Sequence, residues 1–334
     1  MTPSPGHLDG LVNLRDIEGA AARIESVALR TPLLPFVELS DELGGEVRLK
    51  CENLQRTGSF KIRGAFNFLA QLPVPELNRG VITYSSGNHG QALAQAARIK
   101  GARAVVVMPT TAPEVKVEGA RRLGAEIVFA GTTSVERQAR AEELAESEGL
   151  AMVPPFDHPW IIAGQGTVGR EIAQDWPQVD TVLAPVGGGG LSSGVAVGLK
   201  SLLPGVRFVG VEAEGAPGMR RALDAGQPVL LESNDTIADG IKTMKAGDLT
   251  FRHAMTLFDD VVLVSDEIIR EATALLLGRR RLVVEYSGAA ALGALLSGAV
   301  DARGKRLAVV LSGGNLDPSL MEALAQQGFA RPQG

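Results

Sequence analysis

The sequence predicts an α/β protein made of two doubly wound parallel-sheet domains that share a cleft. Three observations lead there. Short β-branched, apolar runs alternate with longer amphipathic stretches from about residue 47 onward. Several of those runs are apolar throughout, as parallel strands covered on both faces tend to be. The 334 residues are long for one core and ordinary for two α/β domains.

Taken in order, the strands are expected at Glu46–Lys50, Val81–Ser85, Ala104–Met108, Glu126–Ala130, Thr181–Pro185, Arg207–Glu212, Asp260–Val264 and Leu307–Leu311. Between them, Ala92–Lys100, Val135–Ser147 and Asp266–Leu277 carry helical patterns. The triplet Arg279–Arg281 closes the last of these, where cations suit the helix dipole. Pro154-Pro155 and the loop through Asp157, His158 and Pro159 interrupt the alternation, so a crossover between domains is placed there. The division expected is a large domain of residues 1–52 and 158–334 and a small one of residues 53–157.

Composition narrows the function classes. Apolar residues make up 45 % and charged residues 21 %, the balance of a globular chain. The net charge of −5 leaves no basic excess for a nucleic-acid backbone. The longest uncharged stretch, Thr181 to Leu199, contains Pro185 and six glycines, which suits strand, loop and helix start rather than a membrane span. The N-terminus (Met-Thr-Pro-Ser-Pro-Gly) lacks the pattern of a signal peptide, and the lone Cys51 fits a reducing compartment. A cytoplasmic protein is expected.

Four segments carry chemistry, and three directly follow an apolar strand, at the ligand-binding edge of a parallel sheet. In Gln55-Arg-Thr-Gly-Ser-Phe-Lys61, a turn runs into a helix at a lysine. Phe60 brings an aromatic face, and nearby amides or desolvation would lower the amine's pKa enough for it to act as a nucleophile. In Ser85-Ser86-Gly87-Asn88-His89-Gly90, helix-start amides suit a carboxylate, Ser86 can pass a proton and His89 reads as a satisfied loop histidine. The run Gly187-Gly188-Gly189-Gly190 forms a nest of N–H donors fit for phosphate, without the Gly-Lys-Ser/Thr of a Walker loop. In Ser312-Gly-Gly-Asn315, Ser312 can offer a hydroxyl to the same cleft or cap a helix.

Together these segments resemble the fold-type II pyridoxal-phosphate enzymes, within the threonine/serine dehydratase and serine racemase group. The resemblance runs from Arg30-Thr-Pro-Leu to Ser312–Asn315 in order and spacing, and the Ser-Ser-Gly-Asn-His-Gly loop favours this branch over cysteine or threonine synthases. It implies the tryptophan synthase β-like architecture, with pyridoxal 5′-phosphate in the cleft as a Schiff base of Lys61. Phe60 would pack on the ring, Asn88 meet its phenolic oxygen, and Gly187, Gly188, Gly189 and Gly190 cradle the phosphate. Ser312 would bond the ring nitrogen, Glu285 stand beside the ring and Ser86 serve the substrate's opposite face. Ser85, Ser86, Gly87, Asn88, His89 and Asp239 would line the substrate site. Relatives often bind Mg²⁺ or another divalent cation; Glu212 and the Ala216 carbonyl match two of its ligands, while Gly218 stands where an aspartate is expected. A homodimer is implied too.

The activity implied is loss of water and ammonia from L-threonine or L-serine, giving 2-oxobutyrate or pyruvate, with a serine racemase or 3-hydroxyaspartate dehydratase as the alternative. A serine at the ring nitrogen, unlike an aspartate, does not enforce a proton there, which favours β-elimination over transamination. The chain ends 19 residues after Asn315, so an unregulated, catabolic role is expected rather than a feedback-gated one. A non-catalytic nucleotide-binding module would need Gly-x-Gly-x-x-Gly; Gly187 and Gly189 followed by Leu191-Ser192 fail that spacing.

Overall fold

The computed structural model describes residues 10–85, 87–112 and 114–329. Ten strands are present among them: β1 (Leu33–Pro35), β2 (Glu46–Cys51), β3 (Val81–Tyr84), β4 (Ala104–Met108), β5 (Glu126–Phe129), β6 (Ala151–Met152), β7 (Thr181–Pro185), β8 (Arg207–Ala213), β9 (Asp260–Val264) and β10 (Arg306–Leu311). They form a six-stranded sheet in the order β1-β2-β10-β7-β8-β9 and a four-stranded sheet in the order β5-β4-β3-β6. Every pairing is parallel except that of β1 with β2. β7, β8 and β10 are buried almost end to end, which is why they read as unbroken apolar runs.

All eight expected strands are present, five of them with one end moved by a residue and β4, β7 and β9 unchanged. The very short β1 and β6 were not expected. The helix expected from Ala92 begins at Asn88, so Asn88, His89 and Gly90 form its first turn rather than a loop. Glycine there is explained by crowding: a Cβ on Gly90 would lie 2.5 Å from the Ser85 carbonyl oxygen. The stretch expected at Val135–Ser147 is the helix Ser134–Glu148, started by a reciprocal cap between Thr133 and Glu136 and stopped by Gly149 at φ 67°. The helix Asp266–Arg280 does end on the arginines, with Arg281 as its left-handed cap.

The helix Lys61–Leu69 joins the two sheets. Ile62, Ala65, Phe66 and Leu69 pack into the core of the four-stranded sheet. Its other side meets the helix Pro159–Asp175, where a Cβ on Gly164 would fall 2.6 Å from Gly64 Cα. Backbones that close leave the Lys61 helix little freedom to slide. Beneath it lies a charge-balanced cluster. The Arg63 guanidinium donates to Glu52 at 2.8 Å and to Glu171 at 2.7 Å, while Lys50 Nζ donates to Glu171 at 2.6 Å and to the Thr31 carbonyl at 2.7 Å. Burial alone would raise the Glu52 carboxyl, yet Arg63 beside it holds it below its ordinary value.

Candidate active site

A cavity of about 460 Å³ lies where loops of both sheets converge, and all four chemistry-bearing segments line it. Lys61 enters from the first turn of its helix. Its amine donates to the Pro155 carbonyl at 2.7 Å and sits 5.2 Å from the centre of the Phe60 ring. Burial pushes this amine down to about 8, against the opposing charge of Glu285. Desolvation is therefore the larger influence on it.

The tetraglycine run follows β7 directly and opens the helix Gly190–Leu202. Each glycine has a reason. A Cβ on Gly188 would meet the Phe156 ring at 2.4 Å, one on Gly190 would meet Phe156 Cβ at 2.9 Å, and one on Gly187 would meet Ile241 Cα at 2.9 Å. Gly189 sits at φ 94° against Thr250, whose hydroxyl donates to the Gly188 carbonyl at 2.6 Å. The amides of Gly187 to Gly190 make no hydrogen bond to a protein acceptor among the described residues. Buried N–H groups without partners are costly, so this nest is built for an anion and fits a phosphate.

Ser312 follows β10 and is 4 % exposed; its carbonyl accepts from Phe60 N–H at 3.2 Å. Its hydroxyl lines the cavity and, among the described residues, bonds to no protein group. Glu285 stands at the start of the helix Tyr286–Leu296 without a side-chain capping bond, its N–H donating to the Gly313 carbonyl at 3.1 Å. Burial, reinforced by the charge of Asp239, pushes its carboxyl up to about 7. Asn88 Nδ2 donates to Glu285 Oε1 at 2.6 Å.

The remaining expected residues separate. Ser85, Gly87, Asn88 and His89 line the cavity; Ser86 lies outside the described residues. His89 Nε2 is 3.1 Å from the Val153 carbonyl oxygen, and burial pushes the ring down to about 3, so it is a neutral, satisfied histidine as the sequence suggested. Asp239 lines the cavity, is exposed and pairs with Lys116 from the other side. Glu212 and the Ala216 carbonyl both have partners within the chain. Both Glu212 oxygens accept helix-start amides, from Met219 at 2.7 Å and Arg220 at 2.8 Å, and the Ala216 carbonyl accepts from Gly218 N–H at 3.0 Å. Among the described residues no group of three or more His, Cys, Asp or Glu side chains is placed to hold a metal. Hard cations want about six oxygens, and Glu212 and the Ala216 carbonyl supply only part of that number.

Sequence reasoning passed over the segment Pro155-Phe156-Asp157. The Pro155 carbonyl accepts from the Lys61 amine, the Phe156 ring covers Gly188 while its Cβ and backbone crowd Gly190, and the Asp157 carboxylate accepts from the first amides of the helix Asp248–Leu257 at 2.9 to 3.0 Å. The aspartate after the double proline was the available signal, but the capped helix lies more than 90 residues downstream.

Likeness to known proteins agrees with this geometry. The family described as pyridoxal-phosphate dependent enzyme matches residues 24–313. An L-threonine ammonia-lyase of Thermotoga maritima is 43 % identical over 321 residues, covering 96 % of this chain and 80 % of its own. An L-threo-3-hydroxyaspartate ammonia-lyase of a Pseudomonas species is 39 % identical over 307 residues, covering 92 % and 96 %. The solved structure of maize serine racemase superposes with a TM-score of 0.90 at 34 % identity, covering 94 % of this chain and 97 % of that one. An amine nucleophile, an anion nest and a free serine hydroxyl around one cavity are what such a cofactor needs, and the chain belongs to the family of pyridoxal-phosphate dependent enzymes.

Proposed function

We propose that the protein is an ammonia-lyase that dehydrates L-threonine or L-serine, releasing 2-oxobutyrate or pyruvate and ammonia. The observation that carries the reading is the Lys61 amine, pushed down to about 8, in one cavity with the unpartnered Gly187–Gly190 amides and the Ser312 hydroxyl. When bound, pyridoxal 5′-phosphate supplies an electron sink for the charge left at the substrate's Cα.

The chain's residues then divide the work. Lys61 would hold the cofactor through its amine and, once freed by the substrate's own amine, would take the Cα proton as general base. The glycine amides would hold the phosphate. Ser312 Oγ would bond the ring nitrogen without forcing a proton onto it, as a carboxylate would, which favours loss of the β-hydroxyl over transamination. Asn88 Nδ2 would face the ring's phenolic oxygen, and Phe60 and Glu285 would flank the ring. Helix-start amides around Gly87 and Asn88 receive the substrate carboxylate, with Asp239 at its edge. Ser86 serves the opposite face of the substrate in this reading, on the strength of its place in the Ser-Ser-Gly-Asn-His-Gly loop. The water lost in elimination is returned when the dehydrated product hydrolyses, so 2-oxo acid and ammonia are the net products.

The same reading divides the chain into a large domain, residues 1–52 and 158–334, and a small one, residues 53–157. The six-stranded and four-stranded sheets, which fall on either side of those boundaries, support it. A cytoplasmic location is supported by the buried free thiol of Cys51, and among the described residues no helix is long and apolar enough to cross a membrane.

Threonine is favoured by the name of the Thermotoga relative; racemisation of serine is the second reading, favoured by the likeness to maize serine racemase. Lys61→Ala should abolish both the cofactor's imine absorbance and ammonia release; a variant that keeps both overturns the assignment. A panel of L- and D-β-hydroxy amino acids, read for ammonia, 2-oxo acid and chirality of the remaining substrate, separates elimination from racemisation.

A further inference from the structure

Asn315 has no part in the reaction described so far, yet it touches two of the loops that build the cavity. Its Nδ2 donates to Asn88 Oδ1 at 2.7 Å and to the Thr57 carbonyl at 2.9 Å. Room for it comes from Gly58 at φ 72°, where a Cβ would fall 2.3 Å from Asn315 Oδ1.

A carboxamide has an acceptor side and a donor side, and half a turn about its last bond exchanges them. For Asn88 the difference is chemical. With Nδ2 on Glu285 Oε1, its second N–H is left for another acceptor; with the group turned, a carbonyl takes that place. Glu285 cannot settle the choice alone, since a carboxyl accepts when ionised and donates when protonated, and this one is raised to about 7. Asn315 can. Its NH₂ is a donor at every pH, and its own orientation is held by the Thr57 carbonyl, which does not titrate.

We infer that Asn315 is a positioning residue that locks the Asn88 carboxamide with its N–H side toward the cofactor's phenolic oxygen. The inference rests on the reading of Asn88 given under Proposed function. Without the lock, Asn88 spends part of its time presenting a carbonyl to an anionic oxygen, and the imine holds its proton more tightly.

The test is a pH titration of imine absorbance in the cofactor-loaded protein, with thermal unfolding run beside it. Asn315→Ala should move the midpoint up by about one pH unit, the scale of one hydrogen bond to a charged group. Made in an Asn88→Ala background, the same substitution should add nothing, because Asn315 acts only through Asn88. Asn315→Ser, whose hydroxyl can still donate, should move the midpoint less than Asn315→Ala; it carries the double-variant comparison should the alanine variant not fold. An unmoved midpoint in the Asn315 variants, beside a shifted one in Asn88→Ala, overturns the inference and leaves the Asn88 contact standing. Additive shifts also overturn it. If Asn88→Ala leaves the midpoint in place, the contact with the phenolic oxygen is wrong, and the inference falls with it.

Discussion

At the scale of single residues, the site stores proton chemistry that stability measurements can read. Glu285 is raised from its ordinary 4.5 to about 7 by burial and the neighbouring Asp239 charge. The folded protein therefore holds a proton that the unfolded chain has released above 4.5. That contribution to stability is whole below about 4.5 and is lost as pH rises through about 7. His89 runs the other way: its ring is lowered to about 3, so stability is lost as pH falls from 6.5 toward 3. The two windows overlap, and a single variant separates them. Glu285→Gln keeps an oxygen for Asn88 and removes the titration. In urea unfolding of the cofactor-free protein, it should gain up to about 3 kcal/mol on the wild type between pH 4.5 and 7.5. A difference that does not vary with pH would show that Glu285 ionises like an exposed carboxylate.

At the scale of elements, the glycine loop after β7 is shaped as much by its neighbours as by an anion. Gly188→Ala sets a methyl against the Phe156 ring, a misfit worth about 1–3 kcal/mol and a weaker hold on the phosphate. Denaturant midpoints and cofactor titration should both register it, and Phe156→Leu in the same chain should restore part of each. Full stability in Gly188→Ala alone would mean that Phe156 moves aside without cost. The loop's position was legible because four glycines after an apolar run are conspicuous. Phe156 was not, since the contact comes from a different part of the chain. Length decided the strands. β4 and β7 have five residues of apolar pattern and were read end to end, whereas β6 has two and β1 three, too few for any period to show. Asn88, His89 and Gly90 were read as loop because asparagine and glycine are poor helix formers, yet a first turn tolerates them. Glu212 shows the limit in the site: its place in the sequence suited a cation ligand, while the two helix-start amides that its oxygens accept from could not be read there.

At the scale of the whole molecule, the Arg63 cluster ties the Lys61 helix to β2, to Glu52 just beyond it and to the helix Pro159–Asp175. Two cations and two carboxylates are shut away from water, so each depends on the others. Arg63→Met leaves Glu52 and Glu171 with Lys50 alone and should cost roughly 3–5 kcal/mol in urea unfolding. Adding Glu52→Gln should recover part of that loss, since it removes a stranded charge; no recovery would mean that packing, not charge, sets the cost.

The order of the six-stranded sheet has a further consequence, for the way the protein is made. β10 comes last of the ten strands in sequence but lies in the interior, between β2 and β7. As the chain leaves the ribosome, β2 and β7 must each wait with an unpaired edge until residues 306–311 emerge. Ser312 and Asn315 arrive only after them, so the cofactor's pocket cannot be whole on any nascent chain that stops short. Until then, the two waiting edges are a template for the wrong partner. A chain halted before β10 is thus expected to collect in aggregates, and capture of the cofactor to be among the last events of folding.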